Sequence, residues 1–118
     1  MPKLDTVKFR NAVVPLGNTG ATAIYTAPAN FTSVIKLLAF SNIDTSDRTF
    51  DLSYTPSGGS AQQLLDAFNV ATGTNIVYVF DDGKPFFLNA GDALTGVGST
   101  ASTVIALVAV EEFFDPNR

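Results

Sequence analysis

The sequence STVIALVAVEEFF, residues 102–114, decides the fold of this chain. It is an almost unbroken apolar run, it is rich in β-branched residues, and it follows a Gly, Ser and Thr segment at residues 96–102. β-Branched side chains and flanking chain breakers favour a strand over a helix. A run that is apolar at both alternating sets of positions predicts a strand covered on both faces. We therefore expect an all-β protein.

Strand patterns also recur upstream, at spacings near a dozen residues. Residues 48–54 alternate most clearly, because Phe50, Leu52 and Tyr54 share one face and polar residues share the other. This alternation is typical of a half-buried antiparallel strand. Further strands are predicted at residues 7–13, 21–27, 31–43, 75–80, 85–88 and 93–97. About eight strands at this spacing predict an antiparallel β-sandwich that resembles a jelly roll.

The segment at residues 61–70 is ambiguous. Its apolar residues lie at helical spacing, and Ser60 is a suitable helix cap; they are Ala61, Leu64, Leu65 and Phe68. However, the segment lies between strands and ends in a hairpin-like turn at residues 71–74. A strand is favoured, and one short helix is the alternative.

The length of 118 residues fits a single domain. We expect it to span residues 1–118, with an N-terminal arm at residues 1–5 and a C-terminal tail at residues 113–118. Only 15% of the residues are charged, well below the ~25% of an average soluble domain. Either a partner covers part of the surface, or the exterior is rich in Thr, Ser, Asn and Gly.

Composition argues against several partners and compartments. The net charge is −4 and the basic residues are scattered, so no nucleic-acid partner is expected. The chain has no Cys and hence no disulfide framework. No apolar run reaches the ~20 residues of a membrane span, and the charged first residues do not form a signal-peptide core. We expect a soluble protein that is made in a cytoplasm.

Residues that could carry chemistry are few. The chain has no His, so a Ser-His pair is impossible and the usual zinc ligands are absent. A glycosidase needs two facing carboxyl groups, and the candidates, nearly all at turns or strand ends, are Asp66, Asp81, Asp82, Glu111 and Glu112. Calcium ligands could come from Asp44 with Asp47, or from Asp81 with Asp82, but the EF-hand spacing is absent. We expect no enzyme activity, no cofactor and no metal.

Two features that could suggest a ligand have simpler structural interpretations. Gly96-Val97-Gly98 resembles part of a phosphate-binding loop, but it precedes a strand and lacks the third Gly, so a hairpin loop is predicted. Lys36 lies inside a predicted strand and must point to solvent, to an edge or to a carboxylate.

Two aromatic pairs suggest contacts with a partner subunit. Neighbouring residues of a strand point to opposite faces, so Phe86-Phe87 and Phe113-Phe114 should each place one ring inward and one outward. An outward ring is either shielded by a loop or anchors a partner. Together with the arm, the predicted interface residues are Pro2, Lys3, Leu4, Phe86, Phe87, Phe113 and Phe114.

Three stretches carry a family resemblance. They are AIYTAPAN at residues 23–30 with the strand that follows it, FFLNAGDAL at residues 86–94, and the closing strand with Val110, Glu111 and Glu112. In this order they resemble small β-sandwich virion proteins of tailed phages, and most of all capsid decoration (cement) proteins.

The resemblance implies a function without catalysis. It implies an oligomer, with a homotrimer favoured, on the surface of the phage head, where it would bind the major capsid protein and bridge capsomers. A tail, neck or fibre accessory subunit is the alternative within the same setting. A carbohydrate-binding β-sandwich module is a further alternative, and an enzyme is the least favoured.

Overall fold

A computed structural model describes residues 7–80 and 86–114, without the side chain of Val7. Its described residues form nine strands and no helix, so none of them forms a helix able to span a membrane. The strands are β1 (Val7–Pro15), β2 (Thr22–Thr26), β3 (Phe31–Asn42), β4 (Arg48–Thr55), β5 (Gln62–Val70), β6 (Asn75–Val79), β7 (Phe86–Leu88), β8 (Ala93–Gly98) and β9 (Val104–Phe114). The all-β prediction is confirmed.

The strands form nested antiparallel pairs. β1 pairs with β9, β2 with β8, β3 with both β6 and β7, and β4 with β5. Pairing of β9 with β3 and of β8 with β4 joins these pairs into two sheets. The first sheet has the order β1-β9-β3-β6, with β7 also beside β3, and the second sheet has the order β2-β8-β4-β5. Two such sheets packed face to face form the β-sandwich with jelly-roll nesting that the sequence predicts.

The core lies between the two sheets. The ring of Phe40 in β3 stacks on that of Phe50 in β4, with centroids 4.1 Å apart. Phe50 and Leu52 are buried and Tyr54 packs against the core, so the predicted inward face of β4 is confirmed. Apolar burial of this kind is the main force that holds such sheets together.

Residues 61–70 fold mainly as a strand, β5, and the helical spacing of its apolar residues has a structural cause. Phe50 and Leu52 are two residues apart in β4, but they pair with Phe68 and Leu65, which are three residues apart in β5. The extra residue forms a β-bulge, in which Ala67 has a φ of 48°. Both apolar side chains therefore reach the core from a strand.

The predicted hairpin loop at residues 96–98 is wrong, because these residues complete β8. Gly96 and Gly98 face inward and are buried. A Cβ atom on Gly96 would lie 3.1 Å from Leu16 Cδ2 and 3.2 Å from Ile24 Cδ1. The glycine leaves room for two core side chains and does not form a ligand loop.

The predicted C-terminal tail begins too early. Phe113 pairs with Thr32, and Phe114 pairs with Phe31, so both belong to β9. The rings of Phe31 and Phe114 also meet edge to face, with centroids 5.6 Å apart. Residues 115–118 and the predicted arm at residues 1–5 lie outside the described residues.

Candidate interaction surface

One side of β9 lies in the core and the other side faces outward. The inward residues are buried; they are Val104, Ala106, Val108, Val110 and Glu112. Ile105, Leu107 and Ala109 alternate with them and are only half-buried. The described chain forms two layers and places no third layer over this outward side. The sequence predicts that β9 is covered on both faces. In the described chain, only its inner face is covered.

The neighbouring strands extend this uncovered side into a broad surface, here called the apolar face. It comprises Phe9 and Val13 of β1, Ile105, Leu107 and Ala109 of β9, Val34, Leu37 and Ala39 of β3, Val77 and Val79 of β6, and Phe87 of β7. The strand register sets these side chains beside one another. One row, Val13–Leu107–Ala39–Val77, is apolar across all four strands.

Several large side chains on the apolar face are strongly exposed. The exposed fraction is 79% for Phe9, 64% for Val13, 68% for Val79 and 51% for Phe87. Single exposed hydrophobic residues are ordinary on a protein surface. A large contiguous apolar patch is uncommon on a monomeric protein and is typical of an interaction surface.

The outer face of the second sheet is a natural comparison within the same molecule. Its side chains are mainly polar; those of β4 and β8 are Thr49, Asp51, Ser53, Thr55, Ala93, Thr95 and Val97. Among the described residues of the second sheet, the one large hydrophobic side chain that is strongly exposed is Leu64, on the edge strand β5. The two outer faces of one sandwich thus differ, and only the first resembles a buried surface.

One ion pair lies within the apolar face. Lys36 Nζ is 3.6 Å from Glu111 Oε1, and both side chains are partly exposed. Lys36 is the extra residue at a bulge where β3 pairs with β9, between Ile35 and Leu37. Of the three alternatives that the sequence leaves open for Lys36, the structure shows the carboxylate, at a partly exposed position. The apolar face therefore carries one positive and one negative charge at this pair, and the two charges cancel.

The predicted interface residues fall in different places. Phe87 belongs to the apolar face, whereas Phe86 turns inward and meets Phe80 edge to face, with centroids 5.3 Å apart. Phe113 lies on the outward side at the end of β9, and Phe114 is 38% exposed at the end of the sandwich. Pro2, Lys3 and Leu4 lie outside the described residues. Sequence analysis missed most of the apolar face, because its residues are scattered along the chain.

Glu112 forms a buried contact between the two sheets. Its side chain points into the sandwich and is 1% exposed. The Tyr25 hydroxyl donates to Glu112 Oε2 and also lies 2.7 Å from Ser33 Oγ. Arg10 Nε is 3.4 Å from the same carboxylate oxygen. Burial raises the pKa of Tyr25, and the hydrogen bond to Glu112 raises it further.

Among the described residues, the carboxylates proposed for a glycosidase do not face one another. Glu111 and Glu112 project to opposite sides of β9. Asp66 is exposed beside a polar hollow of about 310 Å³ that Asp51 also lines. Asp51 Oδ1 accepts a hydrogen bond of 2.6 Å from the N–H of Ala67, which holds the β5 bulge. Asp81 and Asp82 lie outside the described residues.

The candidate calcium loop at Asp44 and Asp47 is closed by its own hydrogen bonds. Asp44 Oδ2 lies 2.6 Å from Arg48 Nε and 2.5 Å from Arg48 Nη2. The Thr45 backbone N–H and the Arg48 guanidinium hold the pKa of Asp44 below its usual value. Asp47 Oδ1 accepts from the Thr72 N–H at 2.9 Å. Within residues 7–80 and 86–114, no cluster of three potential ligands could hold a metal ion.

A separate apolar pocket of about 240 Å³ opens between the two sheets. It lies where β5 and the β6–β7 edge approach each other, and its lining residues are Leu38, Leu52, Leu64, Leu65, Tyr78, Phe80 and Phe86. Leu64 is 50% exposed at its mouth. The pocket lies on the edge of the sandwich, at an angle to the apolar face.

Comparisons with known proteins bear on the fold alone. No protein-family model matches the chain, and no curated protein matches it. One similar solved structure is described as "Bacillus endospore appendages form a novel family of disulfide-linked pili". It has a TM-score of 0.53 and 14% sequence identity, and the match covers 93% of this chain and 89% of that chain. This chain has no Cys, so it cannot form the disulfide linkage of those pili.

Proposed function

We propose that this chain is a non-enzymatic structural subunit of a tailed-phage virion, a capsid decoration protein that stabilises the head by bridging capsomers. The observation that carries the proposal is the apolar face. The five strands of the first sheet present hydrophobic side chains on one side of the sandwich, several of them strongly exposed, while the opposite outer face is mainly polar. A surface of this kind has a physical reason to be covered by another protein.

The carboxylates of the described residues have structural roles, which fits a subunit that works through assembly contacts. The carboxylates of Glu112, Asp44 and Asp51 each hold neighbouring parts of the fold together. Burial of apolar area gives attraction without directional chemistry. Many modest contacts of this kind add up once a subunit is anchored at several points on a shell.

The virion setting rests on the sequence resemblance, and the fold is compatible with it. Jelly-roll sandwiches occur in viral capsid domains. The similar solved structure belongs to pili, which are also built from protein subunits. The proposed partners are the major capsid protein and further copies of this chain, on the outer surface of the head.

Electron microscopy of particles from cells that carry the gene tests this proposal. Gold-labelled antibodies against the chain should spread over the heads. Particles made after deletion of the gene should lose both the label and their resistance to heat. Wild-type protein added back to those particles should restore the resistance. Particles that carry no label would contradict the proposal.

A second candidate is a tail, neck or fibre accessory subunit. The likeness to a pilus protein favours it, because a pilus is an extended appendage. The same images separate the two: label confined to a ring of six or twelve copies at the neck or tail selects the second candidate.

The carbohydrate-binding alternative gains little from the structure. Such modules usually present exposed Tyr or Trp platforms, but the chain has no Trp, Tyr25 is buried, and both Tyr54 and Tyr78 pack against the core. Binding on a glycan array would revive this alternative.

A further inference from the structure

We propose that the apolar face is the contact between two copies of this chain, packed sheet against sheet around a two-fold axis. The inference deepens the proposed function, because it names the partner of the surface on which that function rests. Three features of the apolar face favour a second copy over an unrelated protein: its area, the arrangement of large and small side chains, and its charge.

The area suits a stable pair. Strands lie about 4.8 Å apart and rise about 3.3 Å per residue. The two central strands, β9 and β3, have 11 and 12 residues. A sheet of this length that is four strands wide has a face of ~700 Å². A standard stable interface buries about 800 Å² on each partner. One second copy is enough to cover the whole apolar face.

The side-chain sizes are complementary under a two-fold axis that runs along the strands between β9 and β3. This rotation places β9 over β3 of the second copy and β1 over its β6 and β7. Leu107 then meets Ala39 of the other copy, because Leu107 and Ala39 share one row of the sheet. In the next row, Ala109 meets Leu37. Each large side chain therefore faces a small one, which allows close packing.

The same rotation matches the charges and the outer aromatic rings. Glu111 and Lys36 lie on β9 and β3, so each approaches the opposite charge on the second copy. Phe9 and Phe87 lie at the two ends of the row that contains Glu111. The rotation brings Phe9 of one copy over Phe87 of the other. Sheets that pack in this aligned way cross at about 30°, as the twist of each sheet requires. A self-complementary patch is what a two-fold interface needs.

Light scattering across a dilution series tests the pairing. The wild-type chain should have twice its 12.4 kDa mass at high concentration. Val13→Asp and Val79→Asp each place a short charged side chain in the apolar face, and both positions are exposed in the single chain. Each should raise the dissociation constant roughly a hundredfold. Circular dichroism should show that both variants remain folded.

The matched control is Leu64→Asp. Leu64 is also an exposed aliphatic residue on an edge strand, but it belongs to β5 of the second sheet, at the mouth of the apolar pocket. Its substitution should leave the dimer intact. If Leu64→Asp dissociates the dimer and Val79→Asp does not, the contact lies at the pocket and the inference is wrong. A wild-type monomer at all concentrations, or a trimer, would also overturn it.

Cross-linking tests the direction of the axis. The chain has no native Cys, so a sample of Val13→Cys mixed with Val77→Cys reports on these two sites alone. The proposed axis brings Val13 of one copy opposite Val77 of the other, at the ~10 Å separation of packed sheets. A short bismaleimide should link the mixture, and Val13→Cys alone should stay unlinked. The reverse result would refute this axis.

The mass measurement tests the pairing and the particle images test the proposed function, so each can be refuted without the other. A dimer that never labels virions would refute the proposed function and leave the pairing intact. A monomer that decorates phage heads would do the opposite, and the apolar face would then bind the shell itself.

Discussion

The Tyr25 hydroxyl in the second sheet donates a hydrogen bond to the Glu112 carboxylate in the first, across the end of the sandwich. Both side chains are buried, and 87 residues separate them in sequence. A buried carboxylate is costly unless it is paired and hydrogen-bonded. Tyr25 therefore satisfies the most demanding polar group in the described core, and it ties the two sheets together where β9 ends.

Replacing Tyr25 with Phe should destabilise the protein. The substitution keeps the ring but leaves the Glu112 carboxylate with Arg10, whose Nε lies 3.4 Å away. A lost hydrogen bond to a charged, buried group costs about 2–3 kcal/mol. Urea unfolding at a fixed protein concentration measures the loss, because association also contributes to apparent stability.

Tyr54→Phe is the matched control for that substitution. The Tyr54 hydroxyl donates to Asp92 at 2.7 Å, but Asp92 also accepts from the Ser57 N–H at 2.7 Å and the Asn89 N–H at 3.0 Å. The remaining donors should limit the loss to about 1 kcal/mol. A Tyr54→Phe loss equal to that of Tyr25→Phe would mean that Glu112 finds another donor or water.

Alkaline pH should destabilise the wild-type protein through Tyr25. Burial, reinforced by the hydrogen bond to Glu112, raises the pKa of Tyr25 in the folded protein, whereas the pKa of an unfolded tyrosine is about 10. Below that pH neither state loses the proton, so the contribution to stability is fully present. Above it, the unfolded state releases the proton first, and the free energy of unfolding falls as pH rises.

Comparison with Tyr25→Phe isolates this effect. The wild-type unfolding free energy should fall more steeply between pH 9 and 11 than that of the variant, because other groups titrate in both proteins. Denaturant titrations at each pH provide the measurement. Equal slopes would show that Tyr25 ionises as easily in the folded state as in the unfolded state.

The sequence predicts the features that depend on local pattern. The alternation of Phe50, Leu52 and Tyr54 identifies β4 and its inward face, and the apolar run at residues 102–114 identifies β9. These predictions succeed because strand periodicity places neighbours on opposite faces whatever the rest of the chain does.

The features that depend on distant partners could not be predicted. The role of Gly96 is set by Leu16, which lies 80 residues away in sequence and occupies the space where a Cβ would stand. The apolar face appears only when the sheet order sets Val13, Leu107 and Val77 in one row. Periodicity alone carries no information on which strands become neighbours.

Gly96→Ala should test the packing role of β8. The new Cβ would lie 3.1 Å from Leu16 Cδ2 and 3.2 Å from the backbone oxygen of Asp51, and the backbone cannot easily move away. Overpacking of this kind costs about 1–3 kcal/mol. Thermal unfolding should show the loss. Gly20→Ala is the control, since nothing lies within 4 Å of its Cβ position, and it should change stability by less than about 0.5 kcal/mol.

The last prediction concerns Asn42, which joins three parts of the chain at the end of β3. Its amide donates to the Ser46 carbonyl at 2.8 Å and to the Val70 carbonyl at 2.9 Å. Its oxygen accepts from the Asp44 N–H at 2.9 Å. The side chain is buried, so it holds the β3–β4 turn against the end of β5 without help from water.

Asn42→Ala should cost about 2–3 kcal/mol, because it leaves the buried Val70 carbonyl without this donor. Asn69→Ala, at an exposed position of β5, should cost much less. Hydrogen exchange adds a local measurement: the Asp44 and Thr72 amides should lose protection in the Asn42 variant, whereas the amides of β9 should keep theirs. Similar losses for both variants would mean that water replaces the Asn42 amide and that the turn does not depend on it.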